Sequence, residues 1–479
     1  MGGDESDVWY ERLTALDAAF LDIEAPTAPM HVGSVSLFQG RPPGQDELAA
    51  LIASRLDRVP RYAQKLASVP FGLGRPVWVD DAGFDLQRHL LRTALPRPGG
   101  MAELGKLVSL LFARALDRSK PLWEYWVVEG VGPRTFAVVS KTHHCMIDGI
   151  SGVDLASILM ETEPGSRGPE PPRESAAWKP RPAPGTVSLF VDSLRDGVLR
   201  PLEMAREALT PATEGRRALE EIVGGLGPLA GISWLGPAPA SPLNCPVGGG
   251  RLFEMVSIDL PEVKRVRAAL GGTVNDVVLA VVAGALRSLL LGRKERVDGP
   301  LRVMVPVSVR PPEERGTLGN QVAAIFCPLP VHEASALLRL REVSTAMKGL
   351  KESRQAVGAM ALTRLGNFTP HVLAALATRL QAGAPWFNLV VTNVPGPQVP
   401  LYLLGRKLLA CYPAVPLTTT TTISVALLSY DGSIGIGLLG DAEHAEDLPE
   451  LKRAIPTALA ELSKAAGPAE PPRGRRPRS

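Results

Sequence analysis

Lys141-Thr142-His143-His144-Cys145-Met146-Ile147-Asp148-Gly149 is the segment whose residue types and spacing are best suited to chemistry. An imidazole, with an unperturbed pKa of about 6.5, accepts and returns a proton near neutrality, as a general acid–base catalyst must. Adjacent histidines on a strand point to opposite faces, so only one of His143 and His144 can address a given cleft and the other is structural. Asp148 can be reached from His144 after a turn, and Gly149 permits the tight backbone geometry of that turn. The plainer reading is a buried histidine pair with Asp148 capping the following helix. The full combination at a strand end favours function.

The elements that would position these residues can be read from hydrophobic periodicity. A strand over 136–140 carries the histidines and gives way to a helix over 149–160. Before it come a helix over 13–21, a strand over 32–38, helices over 46–56 and 101–116, and a hairpin of strands over 123–128 and 135–140. Pro164 to Gly185 is Pro-rich and reads as a linker or surface crossover. A second block carries strands over 252–260, 302–309, 322–329, 387–392, 418–429 and 433–438, with helices over 274–290, 334–364, 372–381 and 448–464. Pro456 is expected to kink the last of these. Alternating strands and helices give an α/β class. The chain divides into an N-terminal domain (1–163), a Pro/Gly-rich crossover with a helical part (164–250), a C-terminal domain (251–466) and a basic tail (467–479).

Composition narrows the function. The 479 residues carry a net charge of +3, and the tail arginines Arg473, Arg475, Arg476 and Arg478 account for it, so no nucleic-acid footprint is present. Four scattered cysteines without a C-x-x-C pair fit a reducing cytoplasm and suggest neither zinc knuckle nor disulfide scaffold. His31, His89, His332, His371 and His444 form no metal-binding pattern, so no metal is expected. The N-terminus has no apolar signal region, although Gly2 and Ser6 match a myristoylation pattern. The longest apolar run, 277–286, is far short of the roughly 20 residues that span a bilayer. Gly435-Ile436-Gly437-Leu438-Leu439-Gly440 matches a dinucleotide fingerprint but lies in a strand near the C-terminus, with no room for a βαβ unit after it. No Gly-x-Ser-x-Gly elbow occurs.

Several segments join the histidine motif in a recognisable set. They are Leu16-Asp17-x-x-Phe20-Leu21, Pro29-Met30-His31-Val32-Gly33, Pro121-Leu122-Trp123 and Asn275-Asp276. His143-His144-x-x-x-Asp148-Gly149 resembles the active-site motif of the CoA-dependent acyltransferase superfamily, and the whole set resembles bacterial wax ester synthase/diacylglycerol acyltransferases from about residue 13 to 462. The resemblance implies two chloramphenicol acetyltransferase-like domains, each a mixed β-sheet with flanking helices, and a tunnel between them with His144 midway. It implies His144 as the general base, acyl-CoA as donor, and diacylglycerol or a long-chain fatty alcohol as acceptor. It implies no cofactor beyond the CoA of the substrate. It also implies an architectural ion pair between Asp148 and a distant arginine, for which Arg310 after the 302–309 strand is the choice.

Other residues carry competing readings. Thr273-Val274-Asn275-Asp276 resembles a capping box, and Asn275 is divided between capping and support of the site. Trp123 reads first as a core aromatic and second as a ligand contact. Gly319-Asn320 and Thr392-Asn393-Val394-Pro395-Gly396 resemble family signatures but read as turns. Residues 187–202 form either a membrane-surface amphipathic helix or one packed on the core, and the arginine tail either attracts anionic lipid or is a solvated end. Peripheral contact with a membrane or lipid droplet is therefore an expectation. The alternatives to the acyl-CoA reading are a condensation-type enzyme using carrier-protein thioesters and a non-catalytic lipid-binding protein.

Overall fold

The computed structural model describes residues 9–146, 158–165, 178–195, 236–308, 322–352 and 385–468. The first half contains β1 (Glu11–Arg12), α1 (Ala15–Ile23), β2 (His31–Gln39), α2 (Gln45–Ala53), β3 (Gln64–Ala67), β4 (Val77–Asp80), β5 (Leu90–Ala94), α3 (Met101–Ala113), β6 (Trp123–Gly132) and β7 (Thr135–His143). A helix α4 (Thr186–Leu194) follows the Pro-rich stretch. The second half contains β8 (Arg251–Asp259), α5 (Leu260–Leu270), α6 (Val274–Gly292), β9 (Leu301–Ser308), β10 (Val322–Leu329), α7 (Ala336–Glu352), β11 (Leu389–Pro395), β12 (Tyr402–Leu403), β13 (Arg406–Ala414), β14 (Ile423–Tyr430), β15 (Ser433–Asp441) and α8 (Leu448–Ala465).

A small sheet β1-β4-β3 aside, two six-stranded sheets organise these elements, in the orders β12-β13-β2-β7-β6-β5 and β10-β9-β11-β14-β15-β8. Both are mixed: β5 runs parallel to β6, and β11 runs parallel to β9 and β14, while the other pairs are antiparallel. The first sheet is completed by strands from the second half of the chain, since β13 pairs with β2 from Gly33 to Phe38. The α/β class and the two-sheet division hold. The sequence reading did not contain α5 or the strands β1, β3, β4, β5, β12 and β13.

Among the described residues three large cores follow from this arrangement, beside a small cluster of Val77, Val79 and Leu189. One lies under the first sheet around Leu48, Ile52, Leu122 and Trp123, and one under the second sheet. In the latter, α6 packs against α7 and α8. By length and composition α6 could cross a membrane, but most of it is buried in that core. A third cluster joins the halves: Leu104, Val108 and Phe112 of α3 and Val139 of β7 meet Phe253, Met255, Tyr412 and Leu439.

Close backbone approach holds that junction together. A Cβ at Gly435 or Gly437 would overlap the carbonyl oxygens of Cys411 and Pro413, so only glycine lets β13 lie this close to β15. The fingerprint-like glycines of β15 therefore serve packing. On the other side, Ser109 Oγ donates to Gly105 O (2.7 Å) and accepts from Phe253 N–H (2.9 Å), tying α3 to β8.

Candidate functional site

The paired histidines are strung between two backbone anchors. His143 is the last residue of β7 and sits opposite His31 of β2. Its N–H donates to Leu122 O at 2.9 Å. His144 opens a short 3-10 turn, His144–Met146, and its N–H donates to Met30 O at 2.8 Å. The Pro-Leu-Trp and Pro-Met-His segments thus supply, through Leu122 and Met30, the carbonyls that hold the two histidines. The strand alternation expected for the pair ends at His143, and the turn aims His144 toward α1.

Helix α1 faces both rings. It starts with Thr14 as N-cap, whose Oγ1 accepts from Asp17 N–H (3.1 Å) and donates to Asp17 Oδ2 (2.7 Å). It ends at Glu24, whose carboxylate accepts from Met30 N–H at 3.1 Å and pairs with Arg118. The same carboxylate lies 3.3 Å from His143 Nε2 and 3.7 Å from His31 Nε2. His143 Nδ1 accepts the Cys145 backbone N–H at 3.1 Å, which assigns the ring proton to Nε2, facing Glu24. Burial would raise the Glu24 carboxyl, but His143, Arg118 and the Met30 N–H outweigh it and hold it at about 2. Burial pushes His31 down to about 2, helped by the charge of Lys141, so His31 is neutral. Its Nε2 accepts from Leu116 N–H at 3.3 Å. Lys141 is buried too, and its ammonium caps the end of α3 through the carbonyls of Leu111 (2.7 Å) and Arg114 (2.5 Å). Burial lowers it to about 8. Glu24, His31 and Lys141 were not assigned roles from sequence. Signals for the first two existed in a carboxylate and a histidine flanking the Pro-Met pair.

His144 is placed differently. Protein surrounds the ring, yet the residue is half-buried rather than fully sealed. The phenyl ring of Phe20 stacks on it, with centroids 3.7 Å apart and planes 14° from parallel. Among the described residues its Nδ1 is buried and receives no hydrogen-bond partner from another residue. Burial lowers the imidazole to about 4, opposed by its own backbone carbonyl and reinforced by the neighbouring His143. The ring is thus neutral at physiological pH and available to accept a proton.

The remaining sequence candidates separate into three groups. Trp123 is fully buried, donates to Tyr62 O (2.8 Å) and stacks on His89 (4.5 Å between centroids). This placement matches the first of its two readings, a core aromatic. Asp276 forms the anticipated capping box with Thr273, at 2.9 and 3.2 Å. Asn275 Oδ1 accepts from Asn393 Nδ2 at 3.3 Å. Thr392 to Pro395, read as a turn, instead belong to β11, and this strand brings Asn393 to the start of α6. Asp148, Gly149, Arg310 and the Gly319-Asn320 pair lie outside the described residues, as does most of the helix expected over 149–160 and all of that over 372–381. Among the described residues no cluster of His, Cys, Asp and Glu is gathered to hold a metal.

Comparison with known proteins addresses the whole chain. The wax ester synthase/diacylglycerol acyltransferase catalytic domain matches residues 13–278, and the C-terminal domain of the same family matches residues 318–463. The Mycobacterium tuberculosis protein named probable diacylglycerol O-acyltransferase tgs1 is 35% identical over 94% of this chain and 95% of its own. The one named tgs2 is 34% identical over 94% and 98%. The solved wax ester synthase/diacylglycerol acyltransferase from Marinobacter aquaeolei VT8 superposes with a TM-score of 0.66 at 29% identity, covering 95% of this chain and 100% of that one. The first condensation domain of the CDA synthetase shares the fold, with a TM-score of 0.58 at 17% identity over 97% and 98% of the two chains. Two domain matches that take in both sheets, together with full-length relatives, place this chain in the wax ester synthase/diacylglycerol acyltransferase family, and it is an acyltransferase.

Proposed function

We propose that the protein transfers a long-chain fatty acyl group from acyl-CoA to an alcohol, with His144 as general base. Diacylglycerol is the favoured acceptor, because the mycobacterial relatives carry that name, and a long-chain fatty alcohol is the second. The observation that carries the mechanism is the neutral, partly accessible imidazole of His144 beside a structurally committed His143. The acceptor hydroxyl gives its proton to His144 as its oxygen bonds to the thioester carbonyl carbon. The carbon–sulfur bond then breaks, and the proton passes to the departing CoA thiolate. No acyl-enzyme is required.

In this reading the base faces a tunnel between the two sheets, and Asp148 pairs with Arg310 as an architectural brace near Gly149. The 1–163 and 251–466 blocks act as the two domains, with β13 crossing back to complete the first sheet. We also propose contact with a lipid surface. Phe71 is 88% exposed with its ring against Phe190 of α4 (6.2 Å between centroids), while Val187 and Val191 of α4 are exposed beside it. On the same helix Leu189 packs inward against Val77 and Val79. Such an apolar patch suits an enzyme whose acceptor resides in lipid.

The test is thiol release from palmitoyl-CoA with dioleoylglycerol or hexadecanol, in wild type and in His144→Ala. Acceptor-dependent release that vanishes in His144→Ala is expected. In wild type the acid limb should fall near pH 4, below the usual histidine range, since His144 is lowered to about 4. Full turnover in His144→Ala removes the mechanism. Release that requires a carrier-protein thioester in place of acyl-CoA reassigns the donor.

A further inference from the structure

A general base works only if its ring plane is held, and the torsion that turns an imidazole about its Cβ–Cγ bond is soft. The usual device is a carboxylate or carbonyl of another residue on the second ring nitrogen. Among the described residues His144 has no such device: its Nδ1 is buried, and no other residue supplies it a hydrogen bond. What touches the ring face is Phe20, at 3.7 Å and 14°. This goes beyond the proposed function but rests on His144 being the base.

We infer that Phe20 is the positioning residue of this acyltransferase: its phenyl face, rather than a hydrogen bond from another side chain, sets the plane of the His144 imidazole. The platform itself is anchored at both ends. Asp17 is buried and locked to Thr14 at the start of α1, and Ala18 and Leu21 are buried in the core. At the other end Glu24 is tied to Met30, Arg118 and His143. Phe20 and Glu24 are four residues apart and share one face of the helix end. Glu24 therefore addresses His143 while Phe20 addresses His144, and a single helix sets both histidines. Stacking of this kind restricts rotation without supplying a proton acceptor. The base thus stays neutral and keeps Nε2 free for the acceptor hydroxyl.

The experiment compares wild type, Phe20→Leu, Phe20→Met, Phe20→Tyr and His144→Ala, with palmitoyl-CoA and dioleoylglycerol, and with histidine-ring 13C labelling for NMR. The His144 ring resonance is assigned by its disappearance in His144→Ala. In wild type it lies upfield, shielded by the Phe20 ring. Phe20→Leu and Phe20→Met, which keep apolar volume and lose the flat face, should shift it downfield. They should also lower kcat by roughly three- to tenfold, the rate equivalent of an aromatic pair. KM for palmitoyl-CoA should stay within about twofold of wild type, as expected for a residue that orients the base and binds no substrate. Phe20→Tyr should keep both the resonance and kcat. The inference is overturned if kcat survives in Phe20→Leu and Phe20→Met while the resonance moves. It is equally overturned if the loss appears in KM alone, or if the wild-type resonance is unshielded. Turnover in His144→Ala is a separate failure, that of the base itself.

Discussion

Replacing Glu24 by Gln tests the polar centre beneath the base. The carboxylate accepts from Met30 N–H, pairs with Arg118 and faces His143 Nε2, and its side chain is only 11% exposed, so solvent screens it little. Its pKa falls from the ordinary 4.5 to about 2. At about 1.4 kcal/mol for each tenfold change, that fall corresponds to about 3 kcal/mol of stability at neutral pH. The sign follows from the direction. A depressed carboxyl contributes fully above 4.5, and the contribution is lost as pH falls toward 2, because the unfolded chain takes up the proton first. Glu24→Gln, neutral at every pH, should therefore lower the urea-derived unfolding free energy by about 3 kcal/mol at pH 7 and by about 2 kcal/mol near pH 3.5. Glu24→Ala should cost more, since the Met30 N–H then loses its acceptor at about 1–3 kcal/mol. Gln keeps an acceptor oxygen and should retain more kcat than Ala. A deficit below about 1 kcal/mol at pH 7, or one that does not change with pH, would falsify the assignment of Glu24 as the charged node.

Two other substitutions probe how the halves are joined. Gly437→Ala places a methyl against the Pro413 carbonyl and within 3.0 Å of the Phe253 ring, so β13 and β15 must separate. We expect a loss of about 1–3 kcal/mol in urea unfolding, and an unchanged midpoint would refute the close approach. Asn275 and Asn393 should couple by about 0.5–1.5 kcal/mol in a double-alanine cycle of stability, and additive single losses would show that the 3.3 Å contact carries no energy.

Much of the framework was legible because it rests on local pattern. The alternation of Val32 to Phe38, the periodicity of Met101 to Ala113 and the apolar run of α6 each state their own element. The capping box at Thr273 was legible for the same reason, since both partners lie within one turn. Strand β13 was not. Arg406 to Ala414 lacks clean alternation and contains Pro413, and its partner β2 lies more than 350 residues earlier in the chain. The Thr392-to-Pro395 segment has the composition of a turn, yet parallel pairing with Ala426 to Ser429 of β14 makes it a strand, a context that propensity does not contain.

At the site the division is similar. Residue types alone marked His143 and His144 as the place for proton transfer, because adjacent imidazoles before an Asp-Gly pair are a chemical statement that needs no coordinates. Family membership followed from the same short segments. Folding assigned the work between the two rings. His143 is committed to Glu24 and to the Cys145 N–H, and His144 is left neutral against Phe20, because α1 packs across the end of β7 and presents a carboxylate to one and a phenyl face to the other. A role that depends on which groups surround a nitrogen, and on how much water reaches it, is a property of the packed environment, so it appears only when distant segments meet.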